Sequence, residues 1–304
     1  SSLRCRGLSR NDRAPPTSTP SRPMSDWPCG ISTGCFYRTP IHEALPLVRD
    51  GGFTLIEVCS FPAHLDYHQR DQVASAAELM RSLGIEANSM HAPFAADIDI
   101  SSHDPAQREH SVRELFAATE AAADLGCRYL VLHPGPEMEG RPSPEEWYWR
   151  MRHAADSLNQ VATKCRQLEL TLLLENMLPH LLFGHSSDML WLLGAIRETN
   201  VGTCLDTGHA SLSGDLPTVV HKLSGHLRML HANDNLGDRD DHLPPGEGRI
   251  DWLSLVCQLI KGRFQGPLIL ELAGHGTPGE IMERARKARC FLGELSRRAE
   301  AECE

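Results

Sequence analysis

The stretch "DLGCRYLVLHPG", residues 124–135, carries one period of the chain in miniature. Its first glycine ends a helical segment, and the strand-like run that follows, residues 129–135, carries a histidine, a proline and a glycine at its end. The same rhythm extends in both directions. Strand-like runs lie at 29–36 ("CGISTGCF"), 53–59 ("FTLIEVC"), 85–91 ("IEANSMH"), 129–135, 170–177 ("LTLLLENM"), 201–210 ("VGTCLDTGHA"), 227–235 ("LRMLHANDN") and 268–274 ("LILELAG"). Between and after them helical periods occupy 70–83, 105–125, 144–168, 187–197, 251–260 and 279–298, with weaker stripes at 41–50 and 215–223. "SPEEW" at 143–147 reads as an N-cap followed by a proline and an acidic first turn. Strands alternating with helices predict a parallel sheet. Eight such units over residues 29–300, with no linker between halves, predict a single α/β domain, a closed (β/α)8 TIM barrel. An open doubly wound sheet is the rival, but "GISTGCF" is neither a GxGxxG nor a P-loop fingerprint.

The bulk properties narrow the classes of partner. The 304 residues carry a formal net charge of −10 and a pI near 5.9, which weighs against nucleic acid as a partner. The longest apolar runs are strand-sized, so no membrane span is expected. Ten cysteines without CxxC pairs fit reduced, buried thiols in a cytoplasmic protein. Residues 1–28 differ from the rest. "SSLRCRGLSRNDRAPPTSTPSRP" is rich in Ser, Arg and Pro, has no apolar period, and is expected to be a disordered extension, with Met24 as the natural start. It lacks the amphipathic face of a targeting presequence.

The chemistry is concentrated where the strands end. In a barrel enzyme the reactive side chains project from the C-terminal ends of the strands. His91, His133, Glu175, Asp206, His231 and Glu271 close consecutive strands, His209 follows Asp206, and Asp240 and His242 lie in the loop after the seventh. A single histidine at a strand end is more often a hydrogen-bonded loop residue than a ligand. Glu175 in "LLLE" and Glu271 in "LILE" are different, because a carboxylate at the end of a buried apolar run needs a cation or donors. A divalent metal shared between them is the economical compensation. Imidazole and carboxylate ligands without thiolate suit Zn²⁺, Mn²⁺, Fe²⁺ or Co²⁺.

The loop "HANDNLGDRDDHLPPGEG", 231–248, gathers two histidines and four aspartates. Asn233, Asp234 and Asn235 read as turn and supporting residues, and Pro244, Pro245, Gly246 and Gly248 as the stiffening that returns His242 to the mouth.

Together, "LVLHPG", "LLLENM", "CLDTGHA", "MLHANDN", "DDHLPPGEGRIDW" and "LILELAG" resemble the xylose isomerase-like TIM-barrel superfamily, over essentially all of residues 29–298. That group holds sugar and sugar-phosphate isomerases and epimerases, and also abasic-site repair enzymes of the endonuclease IV type. The isomerase branch implies one metal on Glu175, Asp206, His231 and Glu271. The repair branch implies three zinc ions: one on His91, His133 and Glu175, one on the isomerase ligands, and one on His209, Asp240 and His242. Every one of these positions carries the matching residue type. Repair enzymes also place a large aromatic and a large aliphatic residue after the position of His91 to wedge into DNA, whereas this chain has Phe94 followed by Ala95.

The leading expectation is therefore a divalent-metal-dependent isomerase or epimerase of carbohydrate metabolism. Its substrate would be a sugar, sugar phosphate or inosose. Mn²⁺, Zn²⁺, Co²⁺ or Mg²⁺ would be the cofactor, with one ion expected and up to three accommodated. Glu175 and Glu271 would transfer the proton, His133, His209 and His242 would orient hydroxyls, and Phe94, Trp27 or Phe36 would form an apolar wall. The second expectation is a trinuclear-zinc phosphoester hydrolase acting on abasic DNA. A third is a metal-binding partner subunit without turnover. The segment 94–104 is expected to be a substrate-covering loop, with His103 and Asp104 as capping residues. "EEWYWRM" (145–151) is expected to pack on the core, with a homo-oligomer contact or a lid edge as alternatives.

Overall fold

Eight short parallel strands pair in sequence order and close on themselves, β1 (Cys29–Ser32) pairing with both β2 (Leu55–Cys59) and β8 (Leu268–Leu270). Between them lie β3 (Glu86–His91), β4 (Tyr129–Leu132), β5 (Thr171–Glu175), β6 (Val201–Asp206) and β7 (Leu227–Ala232). The computed structural model describes residues 27–137 and 142–303. Helices α1 (Ile41–Asp50), α2 (Arg70–Leu83), α3 (Pro105–Asp124), α4 (Pro144–Gln167), α5 (Ser186–Ala195), α6 (Thr207–Leu212), α7 (Leu216–Leu223), α8 (Trp252–Lys261) and α9 (Pro278–Cys303) follow the strands. The (β/α)8 barrel read from the alternation is the observed architecture.

Local chemistry sets the helix ends. Ser143 caps α4 by accepting from the Glu146 amide, and Asp104 caps α3 by accepting from the Ala106 amide. Gly84 ends α2 in the left-handed region at φ 63°, where a side chain would be strained. The sixth strand is shorter than its apolar run suggested. It stops at Asp206, whose carboxylate caps α6 by accepting from the His209 amide at 2.7 Å. That short helix turns His209 back over the barrel.

The apolar faces of the helices pack on the outer faces of the strands in one large core. A second, smaller cluster of Val131, Leu173, Cys204, Met229 and Ile269 fills the barrel interior. Side chains alternate along a strand, so the residue two places further on shares the same face. Two residues beyond these five lie His133, Glu175, Asp206, His231 and Glu271. The polar mouth is thus the next layer of the same interior, which is why so many strand ends converge.

Register shifts refine this stacking. β2 and β3 slip between Ile56 and Glu57, pairing Glu57 with Ser89 and Cys59 with His91. β6 and β7 slip between Thr203 and Cys204, pairing Asp206 with His231. Such bulges re-aim side chains beside functional sites.

Residues 1–26 of the expected N-terminal extension lie outside the described residues. Trp27 and Pro28 belong to the barrel. The Trp27 indole donates to the Phe264 carbonyl at 2.8 Å, and the Pro28 carbonyl accepts from the Leu268 amide at 2.9 Å. Both contacts precede the strand starts, at the floor of the barrel. Trp27 therefore cannot wall the mouth, contrary to expectation.

Candidate metal centre

Glu175 is the hub of the mouth. Its Oε2 faces His91 Nε2 at 3.1 Å and His133 Nε2 at 3.4 Å, while its Oε1 faces His231 Nδ1 at 3.2 Å. Glu271 Oε2 reaches the same His231 nitrogen at 3.3 Å. On the far side, Asp240 Oδ2 sits 3.2 Å from His209 Nε2 and 3.0 Å from His242 Nε2. These contacts define three groups: His91, His133 and Glu175; Glu175, Asp206, His231 and Glu271; and His209, Asp240 and His242. In each, one potential ligand atom per residue lies within 4.8 Å of the others. The nine candidate ligand positions singled out in the sequence are brought together.

Each histidine is steered by its other nitrogen. A carbonyl can only accept, so the ring nitrogen facing one carries the proton. Nδ1 of His91, His209 and His242 donates to the Ala92, Asn176 and Glu271 carbonyls at 2.8, 2.8 and 3.0 Å, leaving Nε2 for the cluster. His231 is reversed. Its Nε2 faces the Glu57 carboxylate at 3.0–3.1 Å, so Nδ1 turns to Glu175 and Glu271. His133 Nδ1 lies 3.1 Å from Glu137 Oε1.

The electrostatics separate the two glutamates. Burial alone would raise the Glu175 carboxyl, but the His231 and His133 imidazoliums pull it well below the usual carboxylate range. Glu271 moves up, because burial is reinforced by the charges of Glu175 and Asp206. His133 and His242 are buried, which opposes protonation, yet their carboxylate neighbours push them up to about 9 and about 10. His209 rises well above the usual range for the same reason, His231 does so through Cys204 and then Glu271, Glu57 and Glu175, and Asp240 is held below the usual carboxylate range by His209 and His242.

The loop after β7 is built to deliver Asp240 and His242. Fully buried Asp234 accepts from the amides of Asn235, Gly246 and Ile250 and from the Trp252 indole, at 2.8–3.1 Å. Gly248 packs so closely on Asp234 that a Cβ would collide with it. His242 itself has φ 47°, a conformation a side-chain-bearing residue adopts only when its surroundings impose it. Asn233 supports the centre directly, donating to Asp206 Oδ2 at 2.6 Å.

His91, His133, Glu175, His209, Asp240, His242 and Glu271 line a cavity of about 400 Å³, while Asp206 and His231 are fully buried. Phe94, Met177, Leu178 and Leu181 supply an apolar wall, and Glu137 and His180 complete the rim. Phe36 is not part of that wall; it lines a separate cavity beside Tyr37 and Arg38. The segment 94–104 is not a free lid. Asp99 pairs with Arg150 at 2.8 Å, and the Ile100 carbonyl accepts from Ser157 at 3.0 Å. Only its start, at exposed Phe94, overhangs the cavity. In "EEWYWRM", Trp147 packs against the core while Tyr148 and Trp149 stay exposed.

Three contributors escaped the sequence reading. Glu57 lies one layer below the mouth, yet "LIEVC" shows the signal that marked Glu175, a carboxylate within an apolar run. Glu137 and His180 sit in irregular loops without a periodic signal.

The residues fit a divalent cation. His231 Nδ1 and Asp240 Oδ1 are buried without a well-formed hydrogen bond, although charged ligand atoms surround the first. Leaving such atoms unpaired costs about 1–3 kcal/mol each, and a cation in each of their two groups would satisfy them. The donor set of imidazole nitrogens and carboxylate oxygens suits Zn²⁺, Mn²⁺ or Co²⁺.

Comparison with known proteins agrees with this architecture. The chain is 30% identical to a "Probable endonuclease 4" of Mycobacterium leprae over 203 residues, 63% of this chain and 75% of that protein. It superposes on a solved D-tagatose 3-epimerase-like protein with a TM-score of 0.80 at 22% identity, covering 91% of this chain and 99% of the other. The IOLI protein, solved with a zinc atom, superposes with a TM-score of 0.74 at 17% identity, covering 87% and 97% of the two chains. Residues 45–293 match the profile described as "Xylose isomerase-like TIM barrel", and the chain belongs to that family.

Proposed function

We propose that the protein is a divalent-metal-dependent isomerase or epimerase acting on a sugar or a sugar-derived carbonyl compound. The observation that carries this reading is the pair Glu175 and Glu271. Both carboxylates converge on His231 Nδ1, and their proton affinities are driven in opposite directions. Carboxyl groups separated in this way suit one proton acceptor and one proton donor. The likeness to an epimerase-like protein and to a zinc-bearing relative supports the same reading.

Glu175, Asp206, His231 and Glu271 would hold the cation. When bound, it polarises a carbonyl and supports the charge that develops as the neighbouring proton leaves. The protein's own groups do the rest. One glutamate takes the proton alpha to the carbonyl and the other returns one, to the adjacent carbon or the opposite face. His133, His209 and His242 orient hydroxyls from the rim. Phe94, Met177, Leu178 and Leu181 exclude water from one side of the cavity. The volume of about 400 Å³ is at the lower end for small-molecule sites and suits a monosaccharide. The test is solvent deuterium exchange across ketoses, aldoses and inososes with Mn²⁺, Co²⁺ or Mg²⁺ added. Exchange at the alpha carbon of at least one is expected, and none in any combination would overturn the reading.

A second reading, a trinuclear phosphoester hydrolase acting on abasic DNA, is favoured by two observations. The group His209, Asp240 and His242 is complete, and the endonuclease 4 relative shares 30% identity. It requires three metals per chain and cleavage of duplex DNA at an abasic site. Protein purified without chelators that carries one ion and leaves such DNA intact excludes it.

A further inference from the structure

Glu57 is fully buried in the middle of β2, facing the barrel interior one layer beneath the mouth. Among the described residues its charged partner is His231, whose Nε2 lies 3.0 Å from Oε1 and 3.1 Å from Oε2. The Ser89 hydroxyl, brought opposite by the bulge between β2 and β3, donates to Oε2 at 2.9 Å. A carboxylate in this position is expensive. An aliphatic residue of similar size would fill the space without desolvating a charge. Core packing therefore does not explain it.

The way the other histidines are anchored shows what it adds. His91, His209 and His242 are fixed by neutral main-chain carbonyls, which set the tautomer but contribute no charge. His231 alone of these is fixed by a fully buried carboxylate, and it is the one whose free nitrogen both Glu175 and Glu271 approach. A carboxylate accepting the far N–H of an imidazole orients the ring and makes its near nitrogen a stronger donor toward a cation.

We propose that Glu57 is a positioning residue for the cation site: held by Ser89, it locks His231 with Nδ1 facing Glu175 and Glu271 and strengthens that nitrogen as a ligand. The inference rests on the metal reading above and extends it to a residue that touches neither cation nor substrate.

The test uses the full chain, stripped with a chelator and reloaded with Zn²⁺ or Co²⁺ alone. Affinity is read by competition with a chromophoric chelator, and folding by thermal unfolding of the stripped protein. Glu57→Gln is expected to melt close to the wild type when stripped and to bind about 10–100-fold more weakly at one site. Ser89→Ala, which spares the carboxylate and removes only its hydroxyl donor, is expected to lose affinity in the same direction by less. With Co²⁺ bound, the ring N–H of a coordinated histidine gives a far-shifted exchangeable proton resonance. One such resonance should move in Glu57→Gln, which a purely structural role would leave in place. Wild-type affinity with an unmoved resonance in Glu57→Gln overturns this inference alone. If Glu57→Gln fails to fold, wild-type affinity in Ser89→Ala does so. A wild-type chain that takes up neither cation overturns the metal reading and this inference with it.

Discussion

Glu175 and Glu271 come within 3.2 and 3.3 Å of one ring nitrogen, His231 Nδ1, yet they differ in access and in connection. The Glu175 side chain is 1% exposed and also faces His91 and His133, whereas Glu271 is 20% exposed and opens to the cavity. Glu175 therefore serves two ligand groups and Glu271 one. Glu175→Gln is expected to strip cations from both groups. Glu271→Gln should keep the ion of the His91 and His133 group while slowing alpha-proton exchange by about 10²–10⁴-fold. Metal analysis after gel filtration, beside deuterium incorporation, checks both. Equal metal loss in the two variants would contradict the shared role of Glu175.

The crowd of charges makes the metal-free protein sensitive to pH in a stated direction. His133 and His242 are pushed up to about 9 and about 10 from an ordinary 6.5 by neighbouring carboxylates. Their protonated forms are thus favoured by folding. That stability is complete below the unfolded value of 6.5 and is lost as pH rises through the folded values. Glu175 and Asp240, held low, contribute in the opposite sense and lose their share as pH falls below their unfolded values of 4.5 and 3.8. Chelator-treated protein should therefore be most stable in mildly acidic buffer, with Tm falling between about pH 6.5 and 9. On the proposed metal reading, bound Zn²⁺ would displace the imidazole protons and flatten that fall. Calorimetry with and without chelator decides; a Tm that rises over this range in chelated protein contradicts the charge assignments.

What the sequence disclosed and what it hid follow from one geometric rule. Residues at strand ends announce themselves because an apolar run stops on a polar side chain. His133, Glu175, Asp206, His231 and Glu271 all do this, and the interior layering brings them together, whereas His91 ends a strand that already carries Asn88 and Ser89. Glu57 obeys the same rule two residues earlier, where its strand continues through Val58 and Cys59, so it passed for ordinary strand composition. The helix α6 is only six residues long, too short to show a period, and its residues read as a longer sixth strand. Trp27 and Phe36 are aromatic but stand at the floor and in a neighbouring cavity, a difference that needs the third dimension. The segment 94–104 looked like a lid because its length gives no hint that Arg150 and Ser157 hold it down.

The loop carrying Asp240 and His242 depends on one buried carboxylate. Asp234 receives donors from Asn235, Gly246, Ile250 and Trp252 and has no exposed surface. Asp234→Ala would leave those donors unpaired in a dry site, at a cost of about 3 kcal/mol. Trp252→Phe removes one of them and should cost about 1 kcal/mol. The larger lesion should also release His242 from its φ of 47° and reduce cation retention by the His209, Asp240 and His242 group. Thermal unfolding and metal analysis of the two variants measure this. Full retention of that ion in a destabilised Asp234→Ala chain would show that the loop holds its ligands by other means.

On the proposed reading, the cavity also predicts which sugars would turn over. Its described lining includes the carboxylates Glu137, Glu175, Asp240 and Glu271 and no lysine or arginine. The lining imidazoles already face Glu137, Glu175 and Asp240 and would hold the cation, so a phosphate entering beside them would give up hydration with no lysine or arginine to replace it. Like charges about 4 Å apart repel by roughly 1 kcal/mol in water and about 4 kcal/mol at the effective dielectric of a protein surface. Every 1.4 kcal/mol is about a tenfold change in an equilibrium or rate ratio. A free ketose should therefore show a kcat/KM at least about tenfold above that of its phosphate ester. Phe94 and Leu181 offer an apolar face to the other side of the sugar, so Phe94→Ala should raise KM and leave kcat nearly unchanged. Replacing Leu181 with arginine places a cation on that wall and should narrow or reverse the discrimination. Paired kinetics on one ketose and its phosphate, across wild type, Phe94→Ala and Leu181→Arg, tests the whole chain of reasoning. A wild-type preference for the phosphorylated sugar would mean that another group supplies the missing charge.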